Sequence, residues 1–420
     1  MLALRGLLLD LSPLRGREFR LLFLGQLVSF FGSMITFVAL PFQMYELTGS
    51  TLAVGALGAA EFIPILTVAL VSGALADAVD RRRLVLISEL GSAVVMGALL
   101  VNAGLDRPQA WVLFVCSAAL AGLYALLRPP LDSLVPRVVP REQLKAAMAL
   151  EWIRGNAGMI AGPALGGVLI AAFGVTLTYA IDLATFLISL GFLAAMRASA
   201  PPPDADPPSL RSIGEGLRHA RSRPELLGTY LVDVNAMFFG MPQALFPALA
   251  TRYGGAEVLG LLLAAPAAGA LVVAVLSGWT RHVHRHGRAV ALAAAGWGVA
   301  IVGFGFADAL WLALGCLGVA GAMDAVSGLF RSVIWNETIP DRLRGRLAGV
   351  EMISYTSGPT LGNFEAGLVA SFAGVRASVV SGGVMCVAGT VVLVALLPAF
   401  WRYDARRPAP HGAPAVSDAS

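Results

Sequence analysis

The stretch "GALADAVDRRRL", residues 73–84, is a short charged segment between two long and almost uncharged apolar runs. Hydrophobic residues make up 57% of the 420 residues and charged residues only 13%. An average soluble domain has about 45–50% apolar and about 25% charged residues. The composition therefore predicts a polytopic membrane protein, and it places residues 73–84 in a turn between two membrane spans.

A membrane-spanning helix needs about 20 mostly apolar residues. Helices are predicted here because lipid leaves no partner for unpaired backbone groups, and a barrel would show short alternating strands instead. The sequence thus predicts an all-α membrane protein with twelve transmembrane helices. These spans, numbered in chain order, are 20–46, 52–76, 84–104, 109–130, 146–172, 176–197, 225–249, 256–280, 288–306, 309–330, 346–372 and 375–400.

The basic residues fall almost entirely on one side of these spans. All of the 30 lysines and arginines except Arg107, Arg252 and Arg376 lie in the termini, in alternate loops or at the span ends beside them. Basic residues accumulate on the cytoplasmic side of bacterial membranes. This pattern predicts a multi-pass protein of the bacterial inner membrane with both termini in the cytoplasm.

The two halves of the chain repeat each other. A shift of 200 residues pairs "PREQLKAAMALE" at 140–151 with "PDRLRGRLAGVE" at 340–351, and it pairs Gly174 with Gly374. A shift of 205 residues pairs Arg83 with Arg288. The chain is predicted to begin with a cytosolic lead-in at 1–19. Two six-helix bundles follow at 20–197 and 225–400, with a proline-rich linker at 198–224 between them and a disordered tail at 401–420.

No pattern in the chain indicates an enzyme, a metal site or a cofactor. The three cysteines fall in predicted spans at spacings that match no metal or redox motif. The phosphate-binding G-x-x-x-x-G-K-[ST] motif is missing from the sequence, and no serine has a plausible histidine partner in the spans. The first residues lack a small-residue cleavage site, which favours a lead-in over a signal peptide.

The charged turn carries the pattern G-x-x-x-D followed by basic residues, in Gly73, Asp77, Arg81 and Arg82. With twelve spans in two halves, this pattern resembles the major facilitator superfamily, although Ala78 replaces its usual basic residue. The stretches "GQLVSFFGSMITFVALPFQMYELTGSTLAVG", "RPPLDSLVPR" and "FRSVIWNETIPDRLRGRLAGVE" are similar to the branch that contains the enterobactin exporter and relatives of macrolide efflux pumps. The resemblance implies two pseudo-symmetric six-helix bundles that transport a small molecule.

The resemblance also implies a role for the charged turn. In relatives the loop aspartate lies against the start of span 11, where a helix dipole and arginines attract it. Asp77 would then face a segment with Arg344 and Arg346, and with Arg81 and Arg82 it would form a cytoplasmic gate. The alternative is a solvated basic loop with incidental ion pairs.

A second motif lies in span 5. The superfamily's antiporter motif is a row of glycines ending in GP-x-x-GG, and its counterparts here are Gly158, Gly162, Pro163, Gly166 and Gly167. Glycines allow helices to approach closely, and proline bends a helix. The resemblance implies a packed seam that bends during transport and blocks leakage. Ordinary packing of small residues is the alternative.

Acidic residues inside spans are costly and usually face a cavity or a partner. Those recognised in the sequence are Glu61, Asp182, Asp233, Asp324, Glu351 and Glu365. Spans 1, 4, 7 and 10 line the cavity in the family that the chain resembles, so Asp233 and Asp324 are the leading proton-coupling candidates, followed by Glu61. Arg331, assigned to the loop after span 10, lies about two helical turns beyond Asp324, and the two could form a structural pair.

A polar stripe also follows one face of span 1. Its residues lie at steps of three and four and are Gln26, Ser29, Ser33 and Thr36. Gln26 and Ser33 are candidates for lining a substrate cavity. Hydrogen bonding between helices is the alternative.

These patterns predict a secondary active transporter that exports a small amphipathic compound, either a siderophore-like metabolite or a drug, by alternating access in antiport with protons. Its expected partners are the substrate, protons and the lipid bilayer, without nucleic acid, and the protein is expected to be a monomer. The alternatives are an importer of a small solute and a non-transporting membrane sensor or scaffold on the same fold.

Overall fold

The computed structural model describes residues 10–78, 80–197, 218, 221–339 and 341–406. For residues 69–78, 341–353 and 355 it describes the backbone alone. Every regular element in this part of the chain is a helix. The α-helices are α1 Arg17–Thr48, α2 Thr51–Ala78, α3 Arg81–Ala103, α4 Ala110–Val138, α5 Leu144–Ala194, α6 Pro224–Phe239, α7 Phe246–Tyr253, α8 Ala256–Val275, α9 His286–Gly305, α10 Leu310–Thr338, α11 Asp341–Ala373, α12 Val375–Leu396 and α13 Pro398–Arg402.

Four short 3₁₀ helices accompany them, at Ser12–Arg15, Arg141–Gln143, Gln243–Leu245 and Ser277–His282. Among the described residues, nine helical segments are long and apolar enough to cross a membrane. The prediction of an all-α membrane protein is confirmed. The total of twelve transmembrane helices stays a prediction.

The segment labelled α5 contains two of the predicted spans, which meet at a kink. Gly174 divides it, with φ 77° and ψ 172°, a conformation that residues with a Cβ rarely adopt. Its repeat partner Gly374 has φ 88° and lies between α11 and α12. Both halves of the sequence therefore turn between their fifth and sixth spans through a glycine of the same backbone conformation.

The span predicted at 225–249 is not one continuous helix. Helix α6 ends at Phe239, and the chain passes through a 3₁₀ turn before α7 begins at Phe246. Pro242 has no backbone N–H to continue the helical ladder. The break is held from two sides: Trp297 Nε1 donates to the carbonyl of Gly240 (2.9 Å), and the N–H of Ala244 donates to Asn363 Oδ1 (3.0 Å).

The described residues divide into two compact units. Unit 1 lies within Met1–Thr48, Ile63–Pro207 and Gly255–Ala264, and unit 2 within Gly49–Phe62, Pro208–Gly254 and Ala265–Ser420. Each unit thus contains the start of one helix, α2 or α8, from the opposite half of the sequence. The simpler predicted limits of the bundles, at 20–197 and 225–400, stay a prediction.

One end of unit 1 is closed by an apolar cluster. It joins the first turns of α1 and α3 to the far ends of α4 and α5, through Phe19, Leu22, Val85, Leu134 and Leu193. The same end of the unit carries the charged residues that precede and open α3. Asp80 caps α3 by accepting the N–H of Arg82. The cluster therefore fixes the helix ends around part of the predicted gate.

The first residues of the predicted tail are folded. Tyr403 is buried and its hydroxyl donates to Glu337 Oε2 (2.7 Å), while the N–H of Ala405 donates to the carbonyl of His284 (2.9 Å). Burial and the neighbouring Glu337 carboxylate raise the pKa of Tyr403. The phenol therefore stays a neutral donor at physiological pH. The rest of the tail, residues 407–420, lies outside the described residues.

Candidate functional site

The polar stripe of α1 points at an acid on α3. Gln26 Nε2 and Ser29 Oγ donate to the same oxygen, Glu89 Oε1, at 2.8 and 3.1 Å. Gln26 and Ser29 are themselves buried. Ser33 is half-buried and donates to the carbonyl of Ser29 one turn before it. The contacts of Gln26 and Ser29 are therefore hydrogen bonds between helices, which is the alternative to a cavity lining.

A second buried acid, Asp182 of α5, contacts α1 two turns beyond Ser29. Thr36 donates to Asp182 Oδ2, and Thr185 donates to Asp182 Oδ1 at 3.0 Å. The side chain of Asp182 has no exposed surface. A Cβ placed on Gly32 would collide with Thr185 and Asp182, so a glycine is what lets α1 approach α5 this closely. Asp182 thus lies buried at an interface between two helices of unit 1.

Glu89 is not among the acids recognised in the sequence. The signal was available, because Glu89 lies in the predicted span 84–104, and any acid in an apolar span is costly. Its side chain is only 1% exposed. The hydrogen bonds from Gln26 and Ser29 could not be foreseen, since they depend on how α1 packs against α3.

Unit 2 brings the two leading acids together around one arginine. Arg331 forms an ion pair with Asp233 Oδ1, and its Nη2 lies 3.7 Å from Asp324 Oδ1. Ser354 Oγ donates weakly to Asp233 Oδ2, at 3.4 Å. We call Asp233, Asp324 and Arg331 the ion cluster of unit 2. It connects α6 with α10, and Ser354 adds α11.

The assignment of Arg331 to a loop is wrong. Helix α10 continues to Thr338, and Arg331 is 8% exposed inside it. The ion pair explains the extension, since a buried guanidinium is tolerated where a carboxylate faces it. Asp233 is buried as well, whereas the side chain of Asp324 is 45% exposed. Asp324 is therefore the member of the ion cluster that solvent or a substrate can reach.

The other candidate acids are Glu61, Glu365 and Glu351. Glu61 is half-buried on the part of α2 that belongs to unit 2, and Glu365 is half-buried on α11. The side chain of Glu351 lies outside the described part of the chain. Within the described residues, no three His, Cys, Asp or Glu side chains are grouped so as to hold a metal ion.

The predicted gate is described in part. Arg82 donates to the carbonyls of Leu193 (3.0 Å) and Ala194 (2.5 Å), which end α5. A cation at that position suits the negative end of a helix. Arg81 is buried at the start of α3. The side chains of the other members, Gly73, Asp77, Arg344 and Arg346, lie outside the described residues, so the gate stays a prediction.

The glycine motif of α5 packs directly against other helices. A Cβ on Gly158 would lie 2.5 Å from the ring of Phe30, and one on Gly162 would collide with Met34. Gly166 faces Ile35 in the same way. Pro163, buried in α5, and Gly167 lie against the first turns of α8, where a Cβ on Gly260 would be 3.1 Å from the Gly167 Cα.

The repeat partner of this seam is found in unit 2. A Cβ on Gly362 would lie 2.5 Å from the carbonyl oxygen of Met237 on α6. A Cβ on Gly55 of α2 would lie 3.2 Å from the Gly367 Cα. Gly167 pairs with Gly367 under the 200-residue shift, and Gly55 with Gly260 under the 205-residue shift. Both units thus use the same glycine-on-glycine contact.

Comparison with known proteins agrees with this architecture. Residues 9–418 match the family described as transmembrane secretion effector, within the major facilitator superfamily. The chain is 30% identical over 419 residues to Enterobactin exporter EntS of Citrobacter koseri, covering 97% of this chain and 98% of the relative. It is 29% identical over 402 residues to Enterobactin exporter EntS of Shigella boydii, covering 93% and 94%.

Solved structures share the fold at much lower identity. The nucleoside transporter NupG superimposes with a TM-score of 0.70 at 13% identity, covering 92% of this chain and 100% of that one. A POT family transporter in complex with 5-aminolevulinic acid gives 0.72 at 11%, covering 92% and 97%. At such identities the likeness concerns the fold alone.

The family match covers nearly the whole chain, and the helical repeat with its glycine contacts agrees with it. Proteins of this family are transporters and not enzymes. The chain is accordingly a multi-pass transporter of the bacterial inner membrane, and it belongs to the transmembrane secretion effector family of the major facilitator superfamily.

Proposed function

We propose that the protein exports a siderophore-like compound in antiport with protons, by alternating access. The observation that carries the proposal is the ion cluster of unit 2, in which one buried arginine is shared by a buried and a half-exposed carboxylate. The near-full-length similarity to proteins named enterobactin exporter supports the class of cargo.

The chemistry of the ion cluster suits an exchange of protons for cargo. With both acids ionised, Arg331 is neutralised and the cluster carries one net negative charge. On the cytoplasmic side the ionised, half-exposed Asp324 accepts hydrogen bonds from hydroxyl groups of the cargo, and on the outer side a proton on Asp324 weakens these bonds and releases the cargo. The cargo-free, protonated protein then turns inward and releases the proton to the cytoplasm, so that a proton enters as cargo leaves. The buried Asp233 keeps Arg331 in place throughout, which avoids an unpaired buried charge.

The glycine seams supply the moving parts in this proposal. Parallel repeats of this kind rock about a site near the bilayer midplane. Helices in contact through glycine can slide or tilt without displacing side chains. Asp77 with Arg344 and Arg346 is proposed as the cytoplasmic gate. The arginine distribution supports cytoplasmic termini, and a monomer contains both repeats that the mechanism requires.

A comparison of secreted metabolites tests the proposed function. A strain without the gene and its parent are grown with and without iron, and cells and medium are analysed by mass spectrometry. A chelator retained in the mutant cells under iron limitation, and released again when the wild-type gene is restored, is the expected result. Equal distribution of every chelator between cells and medium in both strains would contradict siderophore export.

A matched pair of variants connects the phenotype to the ion cluster. Asp324→Asn is expected to leave the chelator inside the cells, because the half-exposed acid is the proposed proton acceptor. Asp308→Asn removes another exposed acid, which lies between α9 and α10 and pairs with Arg376 of α12, and this variant is expected to restore secretion like the wild-type gene. If both variants secrete normally, the ion cluster does not couple transport.

A further inference from the structure

The buried acids of unit 1 have no role in the mechanism just described. We propose that Glu89 and Asp182 form a proton-binding site in unit 1, and that its proton is released and rebound as α1 moves during transport. The release and rebinding of the proton rest on the proposed function, since they require a transport cycle driven by protons. Proton binding by Glu89 and Asp182 does not depend on that cycle.

Both carboxyls lie in surroundings that disfavour charge. Glu89 is 1% exposed and Asp182 is not exposed at all. In the described part of the chain, neither forms an ion pair with a basic side chain. Their hydrogen bonds come only from uncharged donors: the side chains of Gln26, Ser29, Thr36 and Thr185. An ionised carboxylate is very unfavourable in such a place unless a cation balances it, so each acid is expected to hold a proton.

An unpaired atom marks where one proton belongs. Glu89 Oε1 accepts two hydrogen bonds, but Glu89 Oε2 is buried without a partner among the described residues. Ser189 of α5, itself buried, lies beside this carboxyl. Its hydroxyl can accept an O–H from a protonated Oε2 or donate to an ionised one, so this contact is available in both states. Oε2 is the oxygen that can carry the proton, because Oε1 already accepts two hydrogen bonds.

The groups around the acids leave them without a neutralising charge. Helix α1 presents only neutral donors to them. On α5, Tyr179 lies near Asp182, with Cys116 of α4 beside it, and its hydroxyl donates to Gln43. Arg154 is a cation in this network, where it donates to the carbonyl of Gln26, but it pairs with Glu151 at 2.6 Å. Arg154 is therefore already neutralised.

The repeat does not carry these two acids over into unit 2. The 200-residue shift places Gly382 at the position of Asp182, and the 205-residue shift places Ala294 at that of Glu89. Both small residues are buried in unit 2, and Gly382 packs against the carbonyl of Phe239. Unit 1 has acids where unit 2 has small packing residues, whereas unit 2 has the ion cluster. The two units thus carry different chemistry on one scaffold.

Helix α1 is the element that such a site would move. It supplies three of the four side-chain donors, all on one face, and its Gly25 and Gly32 lie against α5. When a carboxyl is ionised it attracts these donors more strongly, because hydrogen bonds to a charged group are about twice as strong as neutral ones. Loss of the proton therefore pulls α1 toward α3 and α5, and protonation loosens it.

Infrared spectroscopy of the purified protein tests the proton-binding site without any substrate. A protonated carboxyl has a C=O stretching band that is well separated from the bands of a carboxylate. The wild-type protein at neutral pH is expected to show such bands, and Glu89→Gln and Asp182→Asn are each expected to remove part of their intensity. Glu46→Gln removes an exposed acid of α1 and should leave these bands unchanged. Wild-type spectra without bands that either substitution removes would overturn the proposal.

Transport in vesicles tests whether the proton is exchanged, with enterobactin as the probe. A one-unit pH gradient supports about tenfold accumulation for one proton per cargo molecule. Glu89→Gln is expected to abolish this tenfold ratio, relative to exchange without a gradient, and Glu46→Gln to keep it. Full accumulation by Glu89→Gln and Asp182→Asn would show that the bound protons do not take part. If the wild-type protein moves no enterobactin, the proposed cargo is wrong, and the infrared result still decides whether the site binds protons.

Discussion

Arg331 shows how much of a site can depend on one side chain. It is buried, and it faces the buried Asp233 on one side and the half-exposed Asp324 on the other. A sequence reading that ends a span at its first charge could not place it inside α10, because its burial is made possible by an acid nearly a hundred residues away. Asp233 and Asp324 were predictable as a pair of candidates, since each interrupts an apolar run.

Arg331 and Asp324 of this ion cluster are expected to respond differently to substitution. Arg331→Met leaves the buried Asp233 without a counter-charge, which costs about 3–5 kcal/mol in known cases. Asp324→Asn removes a partner that solvent already screens, so it should change stability by less than about 1 kcal/mol. Thermal denaturation in detergent measures both, with Arg331→Lys as the charge-preserving control. Equal stability of Arg331→Met and the wild type would contradict a buried ion pair.

Gly32 is expected to be a stricter requirement than most glycines of the spans. Gly32→Ala introduces a methyl group that collides with Thr185 and Asp182, and overpacking of this kind typically costs about 1–3 kcal/mol. Gly97→Ala is the matched control, because a Cβ there meets nothing within 4 Å and alanine favours a helix. Denaturation midpoints should fall for the first and stay equal or rise for the second. The reverse order would show that α1 does not pack closely on α5.

At the scale of elements, the break between α6 and α7 is the main feature that hydropathy conceals. Gly240 and Pro242 lie in a mostly apolar run, so hydropathy alone predicts one continuous span. The side chains that hold the break, Trp297 and Asn363, come from α9 and α11 and cannot be recognised locally. The glycine turn at 174, by contrast, was predictable, because the repeat places Gly374 at the same position.

The break is expected to loosen when its side-chain acceptor is removed. Asn363→Leu leaves the N–H of Ala244 without its partner, at a cost of about 1–3 kcal/mol. Hydrogen exchange should then accelerate at residues 240–246 more than elsewhere. Asn336→Leu is the control, since Asn336 is exposed and its bond among the described residues is to a carbonyl of its own helix. Equal exchange in both variants would mean that Asn363 does not hold the break.

The folded start of the tail is expected to detach at alkaline pH. The pKa of Tyr403 is raised in the folded protein, so its contribution to stability is complete below the unfolded value of about 10. That contribution is lost as the pH rises from there through the raised value. Protection of the Ala405 N–H should fall over this range. Tyr403→Phe has no phenol to titrate, and it should show low protection with no such alkaline step.

At the scale of the whole molecule, the sequence was most informative about symmetry. The two residue shifts, 200 and 205, reappear as matched contacts between Gly167 and Gly260 and between Gly55 and Gly367. Such contacts follow from small residues at fixed spacing, which sequence comparison detects. The start of α2 belongs to unit 2 and that of α8 to unit 1. Linear boundaries do not reveal this exchange, because it results from tertiary packing.

The chemical asymmetry of the units was less predictable. Glu89 and Asp182 of unit 1 accept hydrogen bonds from neutral donors, whereas Asp233 and Asp324 of unit 2 face an arginine, although the repeat alone would suggest equivalent roles. Burial decides this difference, and burial is a property of the assembled helices.

Proton-driven export through the ion cluster can be measured in inverted membrane vesicles with enterobactin as cargo. Uptake is measured with an imposed proton gradient, acidic inside, and again after a protonophore. We expect gradient-dependent accumulation by the wild-type protein, its loss with the protonophore, and its loss in Asp324→Asn. Accumulation that persists without the gradient, or that is unchanged in Asp324→Asn, would contradict this mechanism.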